Sequence, residues 1–396
     1  MAKSAYIAGV GMTSFTKPGT NEPFPVMAKQ AISEALAHAG LEFSAVQQAY
    51  AGYVYGDTTC GQRAVYTAGI TGIPIINVTN ACATGSTALF LARQAVEAGV
   101  VDCALALGFE QMPAGAIDVI YPQWPSPWQP SLEAAQRVQG ESAAPFACQL
   151  FGGAGREYMD RTGMAAETMA EVQVKARRHA ANNERALFRK PVTVEEVMAS
   201  PAMFGPLTRL MCCPPTCGAA AAIVVSEDFA RRHGLNRAVR VRAQAMVSDQ
   251  PDVFEAGSMM KLVGYDMAHT ASRRVYEAAG VDPKDIPVVE LHDCFASNEI
   301  IAYDALGLID SGDAERFVRD GDNTYGGRCV TNPSGGLLSK GHPLGATGLA
   351  QCAELVWQMR GEAGARQVEG AKLALQHNLG LAGVCVISLY EAPAAA

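Results

Sequence analysis

The sequence predicts an α/β protein in which one strand-and-helix pattern is written twice, with an extra segment inserted into the first copy. Three observations support this prediction. Similar segments recur at a nearly constant spacing, apolar strand-like runs alternate with helix-like runs, and a central stretch lacks the alternation. The length of 396 residues also exceeds what one ordinary domain needs.

The first repeated elements are a helix and the strand that follows it. A helix-like segment at 31–39 is matched by another at 271–279, and each ends in a glycine followed by an apolar residue. Strand-like runs follow at 48–52 and 288–292, again 240 positions apart. The constant spacing indicates that these two pairs are equivalent.

The later elements of the two copies are separated by a larger offset. Gly85 opens an alanine- and leucine-rich helix to about Ala98, and Gly345 opens one to about Arg360. Strand-like runs then follow at 103–108 and 373–378. The growing offset predicts insertions in the second copy near residues 310–331, where Gly, Asp and Asn cluster.

These elements predict a mostly parallel or mixed sheet with helices on both faces. The pattern is lost after Pro113, where Pro-Trp segments and polar helices such as 171–182 appear, and it returns with the strand-like run 219–225. We therefore predict a first half over 1–112 that is completed by 207–236, an inserted loop domain over 113–206, and a second half over 237–396.

Composition excludes several classes of protein. A net charge of −8 without a basic block argues against nucleic acid or an anionic membrane surface as the main partner. We find no uncharged run long enough to span a bilayer and no secretory signal, so we expect no transmembrane segment and a cytoplasmic location. Eleven irregularly spaced cysteines are then expected to be reduced thiols.

The repeat also identifies a candidate catalytic pair. Cys82 and His342 occupy equivalent positions, each three residues before the glycine that opens a helix. A helix N-terminus favours a thiolate and disfavours a charged imidazole, so the pair suits a cysteine nucleophile with a histidine base. The alternative is a buried inert cysteine and a turn-forming Gly-His-Pro.

A second candidate group is His292 and Cys294, at the end of a predicted strand. Ligands usually bind at the carboxyl ends of strands in α/β sheets, and side chains two residues apart in extended chain point the same way. A packed histidine and core cysteine is an equally good interpretation. A zinc site is disfavoured because no matching ligand pair lies nearby, and we expect no metal.

The third candidate is the segment 376–383, whose closely spaced glycines follow a strand. Asn378 and Gly380 are candidates to contact substrate or an oxyanion, and the alternative is a tight turn before the last strand at 384–390. The cysteines of 212–217 are interpreted as packing residues. Trp124 and Trp128 wall an acyl pocket or belong to a surface loop.

These motifs together resemble the thiolases, and among them the sterol carrier protein 2-type thiolases. The resemblance covers nearly the whole chain and is carried by segments 56–63, Asn80-Ala81-Cys82-Ala83-Thr84-Gly85-Ser86-Thr87, His292-Asp293-Cys294-Phe295, and 332–336 continuing to Gly341-His342-Pro343-Leu344-Gly345. It implies a five-layered αβαβα thiolase fold of two similar halves with an inserted loop domain, assembled as a homodimer or homotetramer. The lipid-carrier domain of some relatives is expected to be absent.

The implied reaction is cleavage of a 3-ketoacyl-CoA by coenzyme A, which is a substrate; no permanently bound cofactor is expected. The resemblance assigns Cys82 as the acylated nucleophile and His342 as its base and an oxyanion ligand. His292 stands where ordinary thiolases carry an asparagine that holds an oxyanion-hole water. Cys294 substitutes for the acid/base cysteine of ordinary thiolases, because Asn378-Leu379-Gly380 replaces their Cys-x-Gly. The main-chain N–H groups of Cys82 and Gly380 would bind the oxygen of the acyl-enzyme.

One departure from the family pattern is Cys217, which replaces the usual aspartate. Two other functions remain alternatives at this point. One is a retro-aldol lyase acting on steroid side-chain CoA esters with a small OB-fold partner, and Cys82 argues against it because that chemistry needs no acyl-enzyme. The other is a non-catalytic acyl-CoA or sterol-binding protein.

Overall fold

The strands of the two predicted halves lie side by side in one mixed sheet of ten strands. The computed structural model describes residues 4–115 and 117–394. Within these residues the strands are β1 (Ala5–Met12), β2 (Gln48–Gly52), β3 (Ile75–Val78), β4 (Cys103–Glu110), β5 (Ala202–Phe204), β6 (Leu207–Thr208), β7 (Gly218–Ser226), β8 (Val239–Val247), β9 (Val288–Glu290), β10 (Val330–Thr331), β11 (Leu373–Gly380) and β12 (Val384–Glu391). The helices are α1 (Phe24–Ala39), α2 (Cys60–Val65), α3 (Thr84–Glu97), α4 (Gln129–Gln139), α5 (Phe146–Thr162), α6 (Glu167–Ala180), α7 (Val194–Met198), α8 (Glu227–Arg232), α9 (Met259–Leu262), α10 (Tyr265–Ala279), α11 (Ala296–Ala305), α12 (Ala314–Arg319) and α13 (Leu344–Arg360).

The strand order confirms the internal repeat. The order is β10-β9-β11-β12-β8-β1-β7-β4-β2-β3, so each half contributes five strands and the second half mirrors the first. In both halves three strands are parallel and the next two are antiparallel. The halves meet through a short pairing of β1 with β8, which joins Tyr6 to Arg240 and Ile7 to Val239.

Helices form three layers around the two five-stranded parts of the sheet. Helix α1 packs on β1 and β7 at one outer face, α10 packs on β8 and β12 at the other, and α3 and α13 lie between the halves. The two central helices approach so closely that a Cβ at Gly85 would lie 2.7 Å from the carbonyl oxygen of Gly345. This arrangement is the predicted five-layered αβαβα architecture.

The segment between β4 and β7 carries helices α4–α7 and the small ribbon of β5 and β6. Its helix α5 packs on α9 and α11, and α6 packs on α11, so the segment covers the second half. A buried ion pair joins Lys175 of α6 to Glu299 of α11, and Thr331 accepts a hydrogen bond from the same ammonium group. The polar helix expected at 171–182 is α6, which begins four residues earlier.

Several boundaries differ from the sequence-based expectation, among them the start of α1, which lies at Phe24 rather than near residue 31. Helix α10 begins at Tyr265 rather than near residue 271, and β11 continues two residues beyond the predicted run 373–378, so Gly380 lies within a strand and not in a loop after it. The pairing of Gly380 with Val384 of β12 extends the strand, and only 381–383 form the turn. Among the described residues, no helix combines the length and apolar character needed to cross a membrane.

Candidate active site

The two halves bring Cys82, His292 and His342 together. Cys82 lies at the turn before α3, His342 lies just before α13, and His292 follows β9. The Cys82 sulfur and one ring nitrogen from each histidine lie within 4.8 Å of one another. The two imidazole rings meet edge to face, with centroids 5.1 Å apart. The pairing predicted from the repeat is therefore present, and the carboxyl end of β9 adds the second histidine.

The turn that carries Cys82 is tight and is backed by Gly380. Ala81 has a φ of 48°, in the left-handed region that non-glycine residues seldom adopt. A Cβ at Gly380 would lie 2.7 Å from the carbonyl oxygen of Asn80 and 3.2 Å from the main-chain nitrogen of Ala83. Glycine is therefore required at position 380, because any side chain would push β11 away from the Cys82 turn.

The Cys82 thiol is protonated in the resting site. Burial raises the pKa of Cys82 to about 12, although a hydrogen bond from the main chain of Leu381 acts in the opposite direction. The position of Cys82 before α3 therefore does not make it a thiolate at neutral pH, because removal of the sulfur from water opposes ionisation. The nucleophile therefore needs a base at the moment of attack.

His342 is arranged to be that base. Burial, aided by the nearby Lys340 ammonium, lowers the pKa of His342 to about 3, so its ring is neutral. The Thr347 hydroxyl donates to the carbonyl of Pro343 at 3.0 Å and lies 2.7 Å from Nδ1 of His342. We infer that the hydroxyl accepts from Nδ1–H, the arrangement in which both contacts are hydrogen bonds and a lone pair is left on Nε2. Within 4–115 and 117–394, this Nε2 has no hydrogen-bond partner.

His292 is held from two sides. Its Nδ1 lies 3.1 Å from the amide nitrogen of Asn378, and its main-chain N–H donates to Nδ1 of His377 at 3.4 Å. Burial lowers the pKa of His292 well below its ordinary value, and the neighbouring rings of His342 and His377 contribute to the same shift. Asn378 is itself fully buried and uses both ends of its amide, because Ser86 donates to its oxygen at 2.8 Å.

Cys294 faces the same space as Cys82 and His292. It lies beside Cys213, whose main-chain N–H donates to the carbonyl of Cys294 at 2.9 Å. Burial raises the pKa of Cys294 well above its ordinary value, and the nearby Cys213 and Cys82 add to the shift. Both thiols are therefore neutral until a reacting group accepts their proton.

Asp293 and Glu110 fix the loops that carry these side chains. Asp293 accepts hydrogen bonds from the main-chain nitrogens of Leu337 and Leu338, at 2.7 and 3.3 Å, and so ties the His292 segment to the turn before His342. Glu110, at the end of β4, is fully buried and joins the two halves of the molecule. Its carboxylate accepts from Val54, Tyr55 and Gly345 at 3.1, 2.9 and 2.9 Å.

A cavity of about 680 Å³ leads to the catalytic group. Its lining includes Cys82, His292, Cys294 and His342. Three basic side chains, Lys17, Arg177 and Arg209, also line it. The guanidinium of Arg177 lies 4.3 Å from the centroid of the Phe188 ring, over its face. The cavity is therefore suited to a ligand that carries both anionic groups and a reactive centre.

A second, smaller cavity of about 260 Å³ also reaches Cys82. Trp124 and Trp128 line it together with Tyr121, although the side chain of Trp124 remains 62% exposed. The Pro-Trp segment is therefore a surface loop that also walls a pocket, and the acyl nature of that pocket stays a prediction. Its lining is apolar apart from Asp118 and Ser126.

Several residues of the site were not identified from the sequence. Glu110 and Asp293 are isolated acids beside buried strands, and their position next to apolar runs was the available signal. Cys212 and Cys213 were interpreted as core residues, but both line the large cavity, while Cys217 is fully buried and hydrogen-bonds to the carbonyl of Met112 at 3.6 Å. All eleven cysteines are free thiols, as expected.

Two family models together match most of the chain. Residues 5–228 match the family described as thiolase, N-terminal domain, and residues 252–388 match thiolase C-terminal domain-like. Rabbit sterol carrier protein 2 is 54% identical over 390 residues, which cover 98% of this chain and 71% of the rabbit protein. An acetyl-CoA acetyltransferase of Methanothermobacter thermautotrophicus is 36% identical, with 95% of this chain and 96% of that protein covered.

Solved structures show the same fold at lower identity. The Ltp2-ChsH2(DUF35) aldolase superposes with a TM-score of 0.83 at 24% identity, covering 99% of this chain and 98% of that one. Human mitochondrial 3-ketoacyl-CoA thiolase in complex with CoA superposes with a TM-score of 0.74 at 19% identity, with both chains fully covered. At these identities the two structures establish the architecture alone.

Proposed function

The chain belongs to the thiolase family, as an acyltransferase of the type related to sterol carrier protein 2, and from this premise we propose that it cleaves 3-ketoacyl-CoA with coenzyme A. The products are a shortened acyl-CoA and acetyl- or propionyl-CoA. The observation that carries the proposal is the buried Cys82 thiol beside the unpaired Nε2 of His342. This arrangement provides a nucleophile and its base at the end of a cavity.

In the first half-reaction the Cys82 sulfur attacks the 3-keto carbon while His342 Nε2 accepts the thiol proton. Collapse of the tetrahedral alkoxide breaks the bond between C2 and C3, and the electron pair passes into the enolate of the leaving acyl-CoA. The Cys294 thiol then protonates C2 of that enolate. The acyl group remains on Cys82 as a thioester.

In the second half-reaction coenzyme A enters as a thiol and loses its proton to the Cys294 thiolate. The CoA sulfur attacks the acyl carbon, and Cys82 leaves and recovers its proton from His342. Each proton is returned to the group that lost it, so the enzyme is regenerated. Because the pKa values of Cys82 and Cys294 are both raised by burial, each thiolate is basic enough to recover its proton readily.

Two sites stabilise negative charge in this proposal. The ring nitrogens of His292 and protonated His342 donate to the thioester oxygen of the enolate, and the main-chain N–H groups of Cys82 and Gly380 donate to the oxygen bound to C3. The close approach of Gly380 to the Cys82 turn supports the second site. The neutral state of His292 is compatible with the first, since a neutral imidazole N–H is a good donor.

The two cavities suit the two ends of the substrate. The basic groups of Lys17, Arg177 and Arg209 would attract the phosphates of coenzyme A. The smaller cavity would receive the acyl tail, because its lining is apolar and has no basic group among the described residues. Cys82 comes from the proposed first half, 1–112 with 207–236, whereas both histidines and Cys294 come from the second half, 237–396. The proposed insertion, 113–206, supplies much of the cavity wall.

We further propose a homodimer or homotetramer, a cytoplasmic location and a role in the metabolism of fatty, branched or sterol-derived acyl groups.

The retro-aldol alternative rests on the similarity of fold to an aldolase that is solved with a DUF35 partner. That similarity concerns the architecture alone, and a retro-aldol step forms no acyl-enzyme. The bare Nε2 of His342 beside Cys82 favours thiolysis instead.

Mass spectrometry of the intact protein after mixing with acetoacetyl-CoA tests the proposal directly. We expect an acetyl adduct on Cys82 that disappears when coenzyme A is added, and no adduct in Cys82→Ala. A protein that binds acyl-CoA without forming an adduct would be a carrier. Cleavage of a 3-hydroxyacyl-CoA without an adduct would identify a lyase.

A further inference from the structure

We propose that Asn378 is a positioning residue that fixes His292 as a hydrogen-bond donor toward the reacting oxygen. The inference rests on the proposed function and adds a role to a position where ordinary thiolases carry a cysteine. Asn378 is fully buried, so its amide forms hydrogen bonds with neighbouring side chains and none with solvent. A chain of hydrogen bonds runs from the Gly348 carbonyl of α13 to the His292 ring, and its direction fixes the tautomer of His292.

The chain begins at a main-chain carbonyl, which can only accept. Gln376 places its amide nitrogen 2.6 Å from the carbonyl oxygen of Gly348. The hydroxyl of Tyr390 lies 2.5 Å from the amide oxygen of Gln376. These two contacts fix the orientation of the Gln376 amide, because rotating it would place its oxygen against the Gly348 oxygen.

The same Gln376 nitrogen donates its second hydrogen to the hydroxyl oxygen of Ser86 at 2.8 Å. The Ser86 hydroxyl must then donate its own hydrogen onward, and the Asn378 oxygen is the acceptor at 2.8 Å. If the Asn378 amide were rotated, its nitrogen would face Ser86 and the serine hydrogen would lose this acceptor in a fully buried setting. The Asn378 nitrogen therefore faces His292.

Because an amide nitrogen can only donate, Nδ1 of His292 must accept across the 3.1 Å contact. A neutral imidazole that accepts at Nδ1 carries its proton on Nε2. His292 thus offers an N–H to the cavity, while Thr347 holds His342 in the opposite tautomer with a bare Nε2. One histidine is set to donate and the other to accept before substrate arrives, although the two rings are in contact.

The ring nitrogen of His292 that carries the proton decides whether the site favours an oxyanion or a metal ion. Cys82, His292 and His342 have a spacing in which three ligands could hold a metal ion. A metal-ligating histidine normally donates its second ring N–H to an acceptor, which frees the other nitrogen for the metal. Asn378 imposes the reverse arrangement on His292, so it favours oxyanion binding and disfavours metal binding.

The test compares wild type with Asn378→Asp, a variant of the same shape in which a carboxylate accepts from Nδ1–H. We expect kcat for acetoacetyl-CoA thiolysis to fall about 10²-fold, as for loss of one oxyanion donor, with KM within about twofold of wild type. Asn183 provides a matched control, because it is another buried asparagine whose amide donates to the Ser334 carbonyl at 2.8 Å. Asn183→Asp should keep the wild-type kcat.

Zinc affinity provides a second readout that a merely structural role would not change in this direction. Zn²⁺ is titrated against a chromophoric chelator, and binding that disappears in Cys82→Ala is assigned to the site. Asn378→Asp should bind Zn²⁺ at this site at least about tenfold more tightly than wild type, because the carboxylate frees Nε2 as a ligand. Asn183→Asp should show no tightening.

Wild-type kcat in Asn378→Asp, or a lower kcat without tighter zinc binding, would overturn the proposal. If that variant does not fold, Ser86→Ala tests the same chain, because it releases the Asn378 oxygen. It should lower kcat about tenfold, and an unchanged kcat would also overturn the inference. If wild type shows no thiolysis, the proposed function fails, and the zinc comparison alone then decides the role of Asn378.

Discussion

Replacement of His342 by asparagine separates the nucleophile from its base without emptying the site. The asparagine amide can still donate to Thr347, as Nδ1 does over 2.7 Å, but it has no atom in the place of Nε2. Cys82 has a pKa of about 12. Direct formation of its thiolate at pH 7 therefore costs about 7 kcal/mol, from five pH units at 1.36 kcal/mol each.

We expect His342→Asn to lower the rate of Cys82 acylation at pH 7 about 10³-fold, within the usual range for a general base. The pH dependence gives a sharper criterion. In wild type the rate should be flat from pH 5 to 9, because the pKa values of His342 and Cys82 lie near 3 and 12. In the variant the rate should rise about tenfold per pH unit, since only the thiolate fraction reacts.

Rapid-quench mass spectrometry of acyl-Cys82 after mixing with acetoacetyl-CoA measures this rate. His269→Asn is a suitable control, because His269 lies on α10 at the outer face of the second half. It should leave both the rate and its pH profile unchanged. A loss of less than tenfold in His342→Asn, or a variant rate that does not change with pH, would refute the reasoning.

Three further predictions follow from the burial of the site. Cys294→Ala should lower steady-state turnover about 10³-fold while acyl-Cys82 still accumulates, which adduct mass and product assays distinguish; normal turnover would remove Cys294 from the mechanism. Gly345→Ala should destabilise the fold by about 3 kcal/mol or more in chemical denaturation, since its Cβ would lie 2.4 Å from the carbonyl oxygen of Phe109. Burial raises the pKa of Glu110 to about 7, so the native state retains a proton that the unfolded chain loses, and stability should fall by about 3 kcal/mol between pH 4.5 and 7. Glu110→Gln should lack this decrease in urea unfolding at the two pH values, and an equal decrease in both proteins would contradict the assignment.

The repeat could be predicted from sequence because each copy has its own local signals. Apolar runs of strand length and helices that end in glycine recur at related positions, and they lie on β2, β9, α1 and α10 as expected. The end of β11 could not be placed, because Gly380 is typical of a turn. Its pairing with Val384 and its packing on the Cys82 turn hold it in the strand. The second contact joins residues far apart in the sequence, so it exists only in the folded chain.

The protonation states of the site were also beyond the sequence. A cysteine before a helix is locally favoured as a thiolate, but the burial that raises its pKa comes from both halves and the insertion. The same holds for the tautomers of the two histidines. They depend on Thr347, which is five residues from His342, and on Asn378, which is 86 residues from His292.

The sequence by itself therefore determined the family, the duplicated α/β pattern and the four reactive side chains, Cys82, His292, Cys294 and His342, that line the large cavity. These features reside in residue types and spacings, which a linear chain already contains. Only the tertiary structure decided which atom of each residue is protonated, which donates and which accepts. Those properties depend on desolvation and on the direction of hydrogen bonds, and both exist only once the two halves have packed around Cys82.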